Sequence, residues 1–331
     1  MNSLPDIYQK TNPSIWTGRT STESLYLHEK VQCIVVSEET PMPLLKNSLC
    51  MLGYSCEEGV SRNLGRIGTA AAPDAIRKQL GKLPNHLPQE ISIFDIGTVH
   101  CISKDLEAAQ EALAKKVKFL LDQGAFPILL GGGHDIAYAH YSGIQDYNAI
   151  EIKKKNIGII NFDAHFDLRA LHDGGNSGTP FYQISEDCKI QGNPFHYLCL
   201  GIREDANDAH LFKTAKQLGV RYILNDDFTP QYFRSIKEQV ASFIDCVDQL
   251  YVTIDMDGFS SAYAPGSSAA SPMGFAPVTV LEVLKQLIDS KKIISLDVAE
   301  FNPIYDRDQQ TAKLTASLLH MILHKQAQFL L

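Results

Sequence analysis

The sequence predicts a single three-layer α/β/α domain with a mostly parallel central sheet. Three observations support this fold class. Short continuous apolar runs alternate with helix-periodic segments along most of the chain. Such runs lack a period of two, which is typical of parallel strands that helices cover on both faces. No Pro/Ser-rich linker and no internal repeat divides the 331 residues.

The elements follow one another in regular alternation after an irregular start. Strands are predicted at 33–36, 91–99, 126–130, 156–162, 196–202, 220–223, 250–255 and 292–298. Helices are predicted at 104–124, 136–147, 206–218, 231–244, 278–289 and 309–328. Because residues 1–58 show no clear period, we expect them to form an irregular segment packed on a catalytic domain of residues 59–331.

The bulk composition argues against several classes of function. The net charge of −8 makes a nucleic-acid or anionic-membrane binder unexpected, since those rely on basic patches. Seven irregularly spaced cysteines without a C-x-x-C pair indicate reduced thiols. The chain start shows no signal-peptide pattern, and the apolar runs are too short to span a bilayer. We therefore expect a cytoplasmic protein.

Polar clusters follow four of the predicted strands. GGGHD follows FPILL, DAHFD follows IGIINF, DMDG follows YVTI, and AEFNP follows ISLDV. In an open parallel sheet the carboxyl ends of the strands form the edge at which ligands bind. The four clusters are therefore predicted to meet in one crevice.

Six side chains in these clusters are of the types that ligate metals. They are His134, Asp163, His165, Asp167, Asp255 and Asp257. On extended segments the skip-one spacing directs such residues to one side. Two carboxylates about 4 Å apart repel by ~4 kcal/mol at an effective dielectric of ~20, so four of them require cations or steeply raised pKa values. Two divalent ions would balance four carboxylates, and mixed carboxylate and imidazole ligation suits Mn²⁺.

The motifs and their order resemble the arginase/agmatinase/formimidoylglutamase (ureohydrolase) family. GVSRNLGRIGTAAAPDAIR (59–77), GGGHD, NFDAHFD, SGTPF, DMDGFSSAYAPGSS and DVAEFNP carry this resemblance over roughly residues 59–325. The resemblance implies an arginase-like fold, two Mn²⁺ per subunit and a homo-oligomer. It also implies that Asp163 and Asp255 bridge the ions. The other four ligands would be divided between the ions, with His134 and Asp167 on one and His165 and Asp257 on the other.

The resemblance also implies a reaction. A hydroxide bridging the ions would attack a C=N carbon, with Asp167 and Glu300 as the catalytic residues and Glu300 hydrogen-bonding the amidine or guanidine. Ser177 stands where agmatinases of this family carry histidine, and the SGTPF run is similar to the formimidoylglutamase branch. Arg169, two residues beyond Asp167, is expected to bind a substrate carboxylate. Asn176, Ser177 and Arg62 are predicted as further substrate contacts.

These observations give the hypothesis that the chain hydrolyses N-formimidoyl-L-glutamate to L-glutamate and formamide, a step of histidine breakdown. One alternative is another ureohydrolase, acting on guanidinobutyrate, guanidinopropionate, agmatine or arginine. A second alternative is a non-catalytic relative that binds a ligand through the same fold. Outside the ligand set, Asp297 is predicted to support the metal ligands. Asp135 is predicted to cap the helix that it precedes.

Overall fold

The computed structural model describes residues 7–37, 41–149 and 155–330. Its ten strands form one sheet in the order β1-β4-β3-β5-β10-β9-β6-β7-β8, with β2 also paired to β4. All pairs are parallel except β1 with β4. The strands are β1 Tyr8–Gln9, β2 Gln32–Cys33, β3 Leu49–Ser55, β4 Ile93–His100, β5 Phe126–Leu130, β6 Ile157–Phe162, β7 His196–Ile202, β8 Arg221–Leu224, β9 Gln249–Asp255 and β10 Ile293–Ala299.

The helices cover both faces of this sheet, which confirms the three-layer prediction. They are α1 Leu27–Lys30, α2 Glu58–Arg62, α3 Ala72–Leu80, α4 Leu106–Asp122, α5 Ile136–Asn148, α6 Pro180–Gln191, α7 Ala209–Gln217, α8 Phe233–Ile244, α9 Pro277–Asp289 and α10 Gln310–Gln326. Apolar residues of α3, α8, α9 and α10 share one buried core with the sheet. Those of α4, α5, α6 and α7 share a second core.

The structure differs from the sequence prediction mainly before residue 60. Residues 49–55, predicted as irregular, form β3, which lies inside the sheet between β4 and β5. Six of its seven residues are buried, so both faces are covered and no period of two arises. The strand predicted at 33–36 is the two-residue β2. Helices α3 and α6 were not predicted, and each carries a proline, Pro73 or Pro180, in its first turn, where this residue type is favoured.

The sheet order explains how the four polar clusters come together. Strands β5, β10, β9 and β6 are consecutive neighbours, and each is followed by one of the clusters. Because the four strands are parallel, their carboxyl ends lie at the same edge of the sheet. None of the helices in the described ranges combines the length and apolar character that a bilayer span needs.

Candidate metal centre

The loop after β5 is held tightly against its neighbours. At Gly132 an added Cβ would lie 1.9 Å from the carbonyl oxygen of Cys56, so only glycine fits this close approach. The Gly132 carbonyl accepts a hydrogen bond of 2.9 Å from the backbone N–H of Glu300. In return, the backbone N–H of His134 donates to Glu300 Oε1 at 2.7 Å. These two bonds join the GGGHD and AEFNP segments at the crevice.

Three carboxylates surround the Nδ1 atom of His134. It lies 3.3 Å from Asp163 Oδ2, 2.9 Å from Asp167 Oδ2 and 3.0 Å from Asp255 Oδ2. The four ligand atoms lie within 4.8 Å of one another, which is close enough to share one cation. The chain therefore places four of the six predicted ligands in one group.

A second group lies beside the first and contains the remaining two ligands. His165 Nδ1 is 3.4 Å from Asp163 Oδ1 and 3.3 Å from Asp257 Oδ1. Asp163 belongs to both groups, as expected of a bridging residue, whereas Asp255 belongs to the first group only. Backbone N–H groups also bind the two aspartates, since His165 donates to Asp163 Oδ1 and Asp257 donates to Asp255 Oδ1.

The carboxylates perturb one another strongly. Burial, followed by the charges of Asp257 and Asp163, raises the pKa of Asp255 well above its ordinary value. Burial and the Asp163 charge raise the pKa of Asp167 to about 6. Burial and the Asp257 charge likewise raise the pKa of Glu300 well above its ordinary value. Burial also pushes the pKa of Asp163 upward, but contacts with His134 and His165 outweigh it and leave this pKa below its ordinary value.

The donor atoms fit a divalent cation. Two buried ligand atoms make no hydrogen bond, His134 Nδ1 in the first group and Asp257 Oδ1 in the second. Such atoms are costly to bury unless something satisfies them, and a cation would do so. A cation would also relieve the repulsion that raises the carboxylate pKa values. Imidazole and carboxylate donors without cysteine suit Mn²⁺ and related ions.

A buried polar chain behind the ligands fixes the tautomer of His134. The Thr253 hydroxyl donates to Asp297 Oδ1 at 2.5 Å. Its oxygen therefore accepts from His134 Nε2, 3.0 Å away, so that in the neutral imidazole Nδ1 is the nitrogen that can ligate a cation. Asp297 also accepts from Tyr251 and contacts Nδ1 of His140 at 2.6 Å. The predicted supporting role of Asp297 agrees with this arrangement.

Sequence reasoning missed Thr253, His140 and Asn161, whose amide donates to Asp163 Oδ2 at 2.9 Å. Two of them carried a usable signal. Asn161 and Thr253 precede Asp163 and Asp255 by two residues, so strand alternation places them on the same side as the ligands. His140 lies on a helix and contacts Asp297 across 157 positions of sequence, a pairing that spacing does not reveal.

We predict that Thr253→Val weakens manganese binding. Valine matches threonine in shape but cannot accept the His134 Nε2–H, so the favoured tautomer is lost. Changes to such supporting partners typically reduce metal affinity by about 10–100-fold. Calorimetric titration with Mn²⁺ measures the effect. Thr279→Val is the matched control, because Thr279 is a buried threonine whose hydroxyl makes no hydrogen bond. Equal affinity of Thr253→Val and the unaltered chain would remove Thr253 from the account.

The two groups form the floor of a pocket of about 290 Å³. Four of the six predicted metal ligands line it, together with Glu300 and the predicted substrate residues Arg169 and Ser177. These four ligands are His165, Asp167, Asp255 and Asp257, and Glu300 lies beside them without belonging to either group. The lining also includes Asn63, whose amide donates to Ser177 Oγ at 3.1 Å.

Two predicted substrate residues are not brought into this lining. Arg62 is held elsewhere, since its guanidinium pairs with Glu58 at 3.1 Å and with Glu107 at 2.6 Å. The Asn176 side chain accepts the Gly178 N–H at 2.9 Å and shapes the loop instead. Substrate contacts by Arg62 and Asn176 therefore remain predictions, and the positions of these two side chains do not favour them.

The predicted cap at Asp135 is wrong. This side chain makes no capping hydrogen bond with the helix and instead accepts a hydrogen bond from the Tyr54 hydroxyl.

Comparisons with known proteins agree with this fold and site. The arginase family profile matches residues 47–324. A formimidoylglutamase from Aeromonas hydrophila is 39% identical over 325 residues, covering 96% of this chain and 99% of that protein. One from Clostridium tetani is 37% identical over 322 residues, covering 96% of this chain and 95% of that protein.

Solved structures show the same fold at lower identity. Formimidoylglutamase from Bacillus subtilis superposes with a TM-score of 0.80 at 22% identity, covering 94% of each chain. Trypanosoma cruzi formiminoglutamase with Mn²⁺ gives 0.73 at 22% identity, covering 87% of this chain and 96% of that one. The fold and the candidate site thus define the class of protein, an α/β/α protein with a candidate metal centre at the carboxyl edge of its sheet. The chain belongs to the arginase family.

Proposed function

We propose that this chain is a metal-dependent formimidoylglutamase that hydrolyses N-formimidoyl-L-glutamate to L-glutamate and formamide. The relatives named above as formimidoylglutamases match nearly the full chain, which supports this assignment. The observation that carries it on the structural side is the charge distribution of the pocket. Its floor is anionic, and its lining contains one arginine, Arg169.

Arg169 is suited to bind a substrate carboxylate. Its side chain is exposed at the pocket and makes no hydrogen bond or ion pair within the described ranges, so its donors are available to a ligand. Its backbone N–H donates to the Gly178 carbonyl at 3.0 Å, which fixes its position in the loop. A guanidinium can bind a carboxylate through two parallel hydrogen bonds. A cationic substrate end, as in agmatine, would be repelled.

The residues around the metal groups have complementary roles. Glu300 keeps one carboxylate oxygen on the His134 N–H, which leaves Oε2 to accept an N–H of the formimidoyl group. We propose that the two groups would hold two Mn²⁺ ions and that Asp163 would contribute a ligand to both. When bound, they supply a nucleophilic oxygen from water near neutral pH. Addition of water to the C=N carbon and cleavage of its bond to the glutamate nitrogen give the two products.

We predict that Arg169→Ala mainly raises KM. If Arg169 holds a carboxylate equally in the ground and transition states, its loss weakens binding while kcat changes little. A charge-assisted hydrogen bond of this kind contributes about 1.5–3 kcal/mol, so KM should rise by about 10–100-fold. Steady-state kinetics with formimidoylglutamate measure this. Arg62→Ala is the control, since Arg62 lies outside the pocket. An unchanged KM in Arg169→Ala would exclude it from substrate binding.

A substrate panel on manganese-reconstituted protein tests the proposed function. Formamide, ammonia and urea are measured separately after incubation with formimidoylglutamate, guanidinobutyrate, guanidinopropionate, arginine and agmatine. We expect formamide from formimidoylglutamate and negligible urea from the other four. Urea without formamide would support another ureohydrolase activity instead. Failure to retain any transition metal after manganese loading would support a non-catalytic relative. A cytoplasmic location and a homo-oligomeric state remain predictions.

A further inference from the structure

Leu64 stands out in the pocket because its conformation and its exposure are both unfavourable. Three non-glycine residues of the pocket lining have positive φ: Leu64 at 61°, Asp167 at 49° and Glu300 at 59°. Residues in this left-handed region are strained, and such strain concentrates at functional sites. Asp167 and Glu300 have roles at the metal groups. Leu64 contributes no ligand atom to either metal group, so the metal groups do not explain its strained backbone.

The local fold explains the conformation but not the residue type. Leu64 follows Asn63, the C-cap residue of α2, in the position that completes a Schellman motif. The Leu64 N–H donates to the Ser61 carbonyl at 3.0 Å, and the Gly65 N–H donates to the Val60 carbonyl at 2.8 Å. Glycine is the usual residue at this position because it has no Cβ. Leucine is therefore disfavoured on backbone grounds.

Packing does not explain the leucine either. Leu64 is 94% exposed, the highest value among the large exposed hydrophobic residues of the described chain. A leucine that is buried by nothing gains no stability from the hydrophobic effect. The position thus carries a side chain that stabilises neither the helix end nor the core.

Its neighbour Asn63 adjoins the proposed carboxylate-binding residue. Asn63, Leu64 and Gly65 all line the pocket. A Cβ built on Gly178 would meet Arg169 Cδ at 2.9 Å and Asn63 Nδ2 at 3.0 Å, so the Arg169 and Asn63 side chains converge over this glycine. Leu64 thus follows directly on a residue that adjoins Arg169.

We propose that Leu64 is a substrate-contacting residue that covers the methylene carbons of the substrate when Arg169 holds its carboxylate. This inference rests on the proposed function. The unfavourable features of Leu64 in the free protein are those expected of a side chain that becomes buried only when ligand is bound. The same contact favours a substrate with an aliphatic segment between its reacting carbon and its carboxylate.

The test compares Leu64→Gly, Leu64→Ala and Ile67→Ala. Both Leu64 variants remove the contact and should raise KM about tenfold, with kcat within about twofold. Leu64→Gly also removes the backbone strain, so its Tm should rise by ~2 °C, whereas Leu64→Ala retains the strain and should show no rise. Ile67 is the matched control, being an exposed apolar residue three positions away that is outside the pocket lining, and its change should alter neither quantity.

The outcomes separate this inference from the proposed function. Formamide release by the unaltered chain is measured first, and its absence would overturn both. If the unaltered chain releases formamide but KM stays within twofold in both Leu64 variants, Leu64 does not contact substrate. A raised KM together with a lowered Tm in Leu64→Gly would also overturn the inference, because it would show that the leucine supports the fold.

Discussion

Asp163→Ala is expected to abolish both manganese binding and turnover. Asp163 is the residue that the two candidate metal groups share, with one oxygen 3.3 Å from His134 Nδ1 and the other 3.4 Å from His165 Nδ1. Its loss removes a ligand from both groups at once. Because the proposed nucleophile depends on the bound ions, kcat/KM should fall by at least about 10³-fold. Elemental analysis after dialysis and the formamide assay measure the two effects.

Asp173→Ala is the matched control for this change. Asp173 lies in the loop that follows the DAHFD segment, is exposed, and belongs to neither metal group. Its variant should bind manganese and turn over like the unaltered chain. A far-UV circular dichroism spectrum should show that metal-free Asp163→Ala retains the fold. Retained turnover in a folded Asp163→Ala protein would contradict the shared-ligand role.

The second large effect is expected on stability, from Asp95→Asn. Asp95 and Arg77 are fully buried and form two hydrogen bonds, with Arg77 Nε at 2.8 Å and Nη2 at 3.0 Å from the carboxylate oxygens. The same carboxylate accepts from Thr11 and from Trp16 Nε1, each at 2.8 Å, and so ties the N-terminal segment to β4. Neutralising it leaves the buried Arg77 with only the partly exposed Asp74 as a charged partner, and breaking a buried pair in this way typically costs about 3–5 kcal/mol.

Chemical denaturation of the unaltered chain and of Asp95→Asn, at equal protein concentration and metal content, measures this loss of unfolding free energy. Asp74→Asn is the control, because Asp74 pairs with the same arginine at 3.2 Å but its side chain is 53% exposed. An exposed pair of this kind contributes about 0–1 kcal/mol. A similar loss in both variants would show that the burial of Asp95 does not determine its contribution.

The fold was largely predictable from sequence because most of its strands are short apolar runs between long amphipathic helices. The bounds predicted for β5 and β7 are those of the structure. Strand β3 is a continuous apolar run like the predicted strands, but it lies within residues 1–58, where no alternation with helix-periodic segments marks it. Helix α6 was missed because it directly follows the loop of residues 167–179, which has no helical period.

The site was predictable where backbone position determines the role, and less so where side-chain direction does. The six predicted metal ligands follow strand ends, and the parallel sheet brings them together. Arg62 has the same residue type as Arg169, yet its helical position brings it to Glu58 one turn earlier and away from the pocket. Spacing places Thr253 on the ligand side of its strand, but the contacts of Asp297 with Thr253 and His140 join segments far apart in sequence, and spacing does not encode them.

Anomalous diffraction at the manganese edge, from crystals grown with Mn²⁺, tests the central claim most directly. We predict two peaks at the carboxyl edge of the sheet. One should lie among His134, Asp163, Asp167 and Asp255, and the other among Asp163, His165 and Asp257. Manganese peaks at other positions only would contradict the account. So would the absence of any peak in crystals grown with saturating Mn²⁺, if the six side chains are still in place.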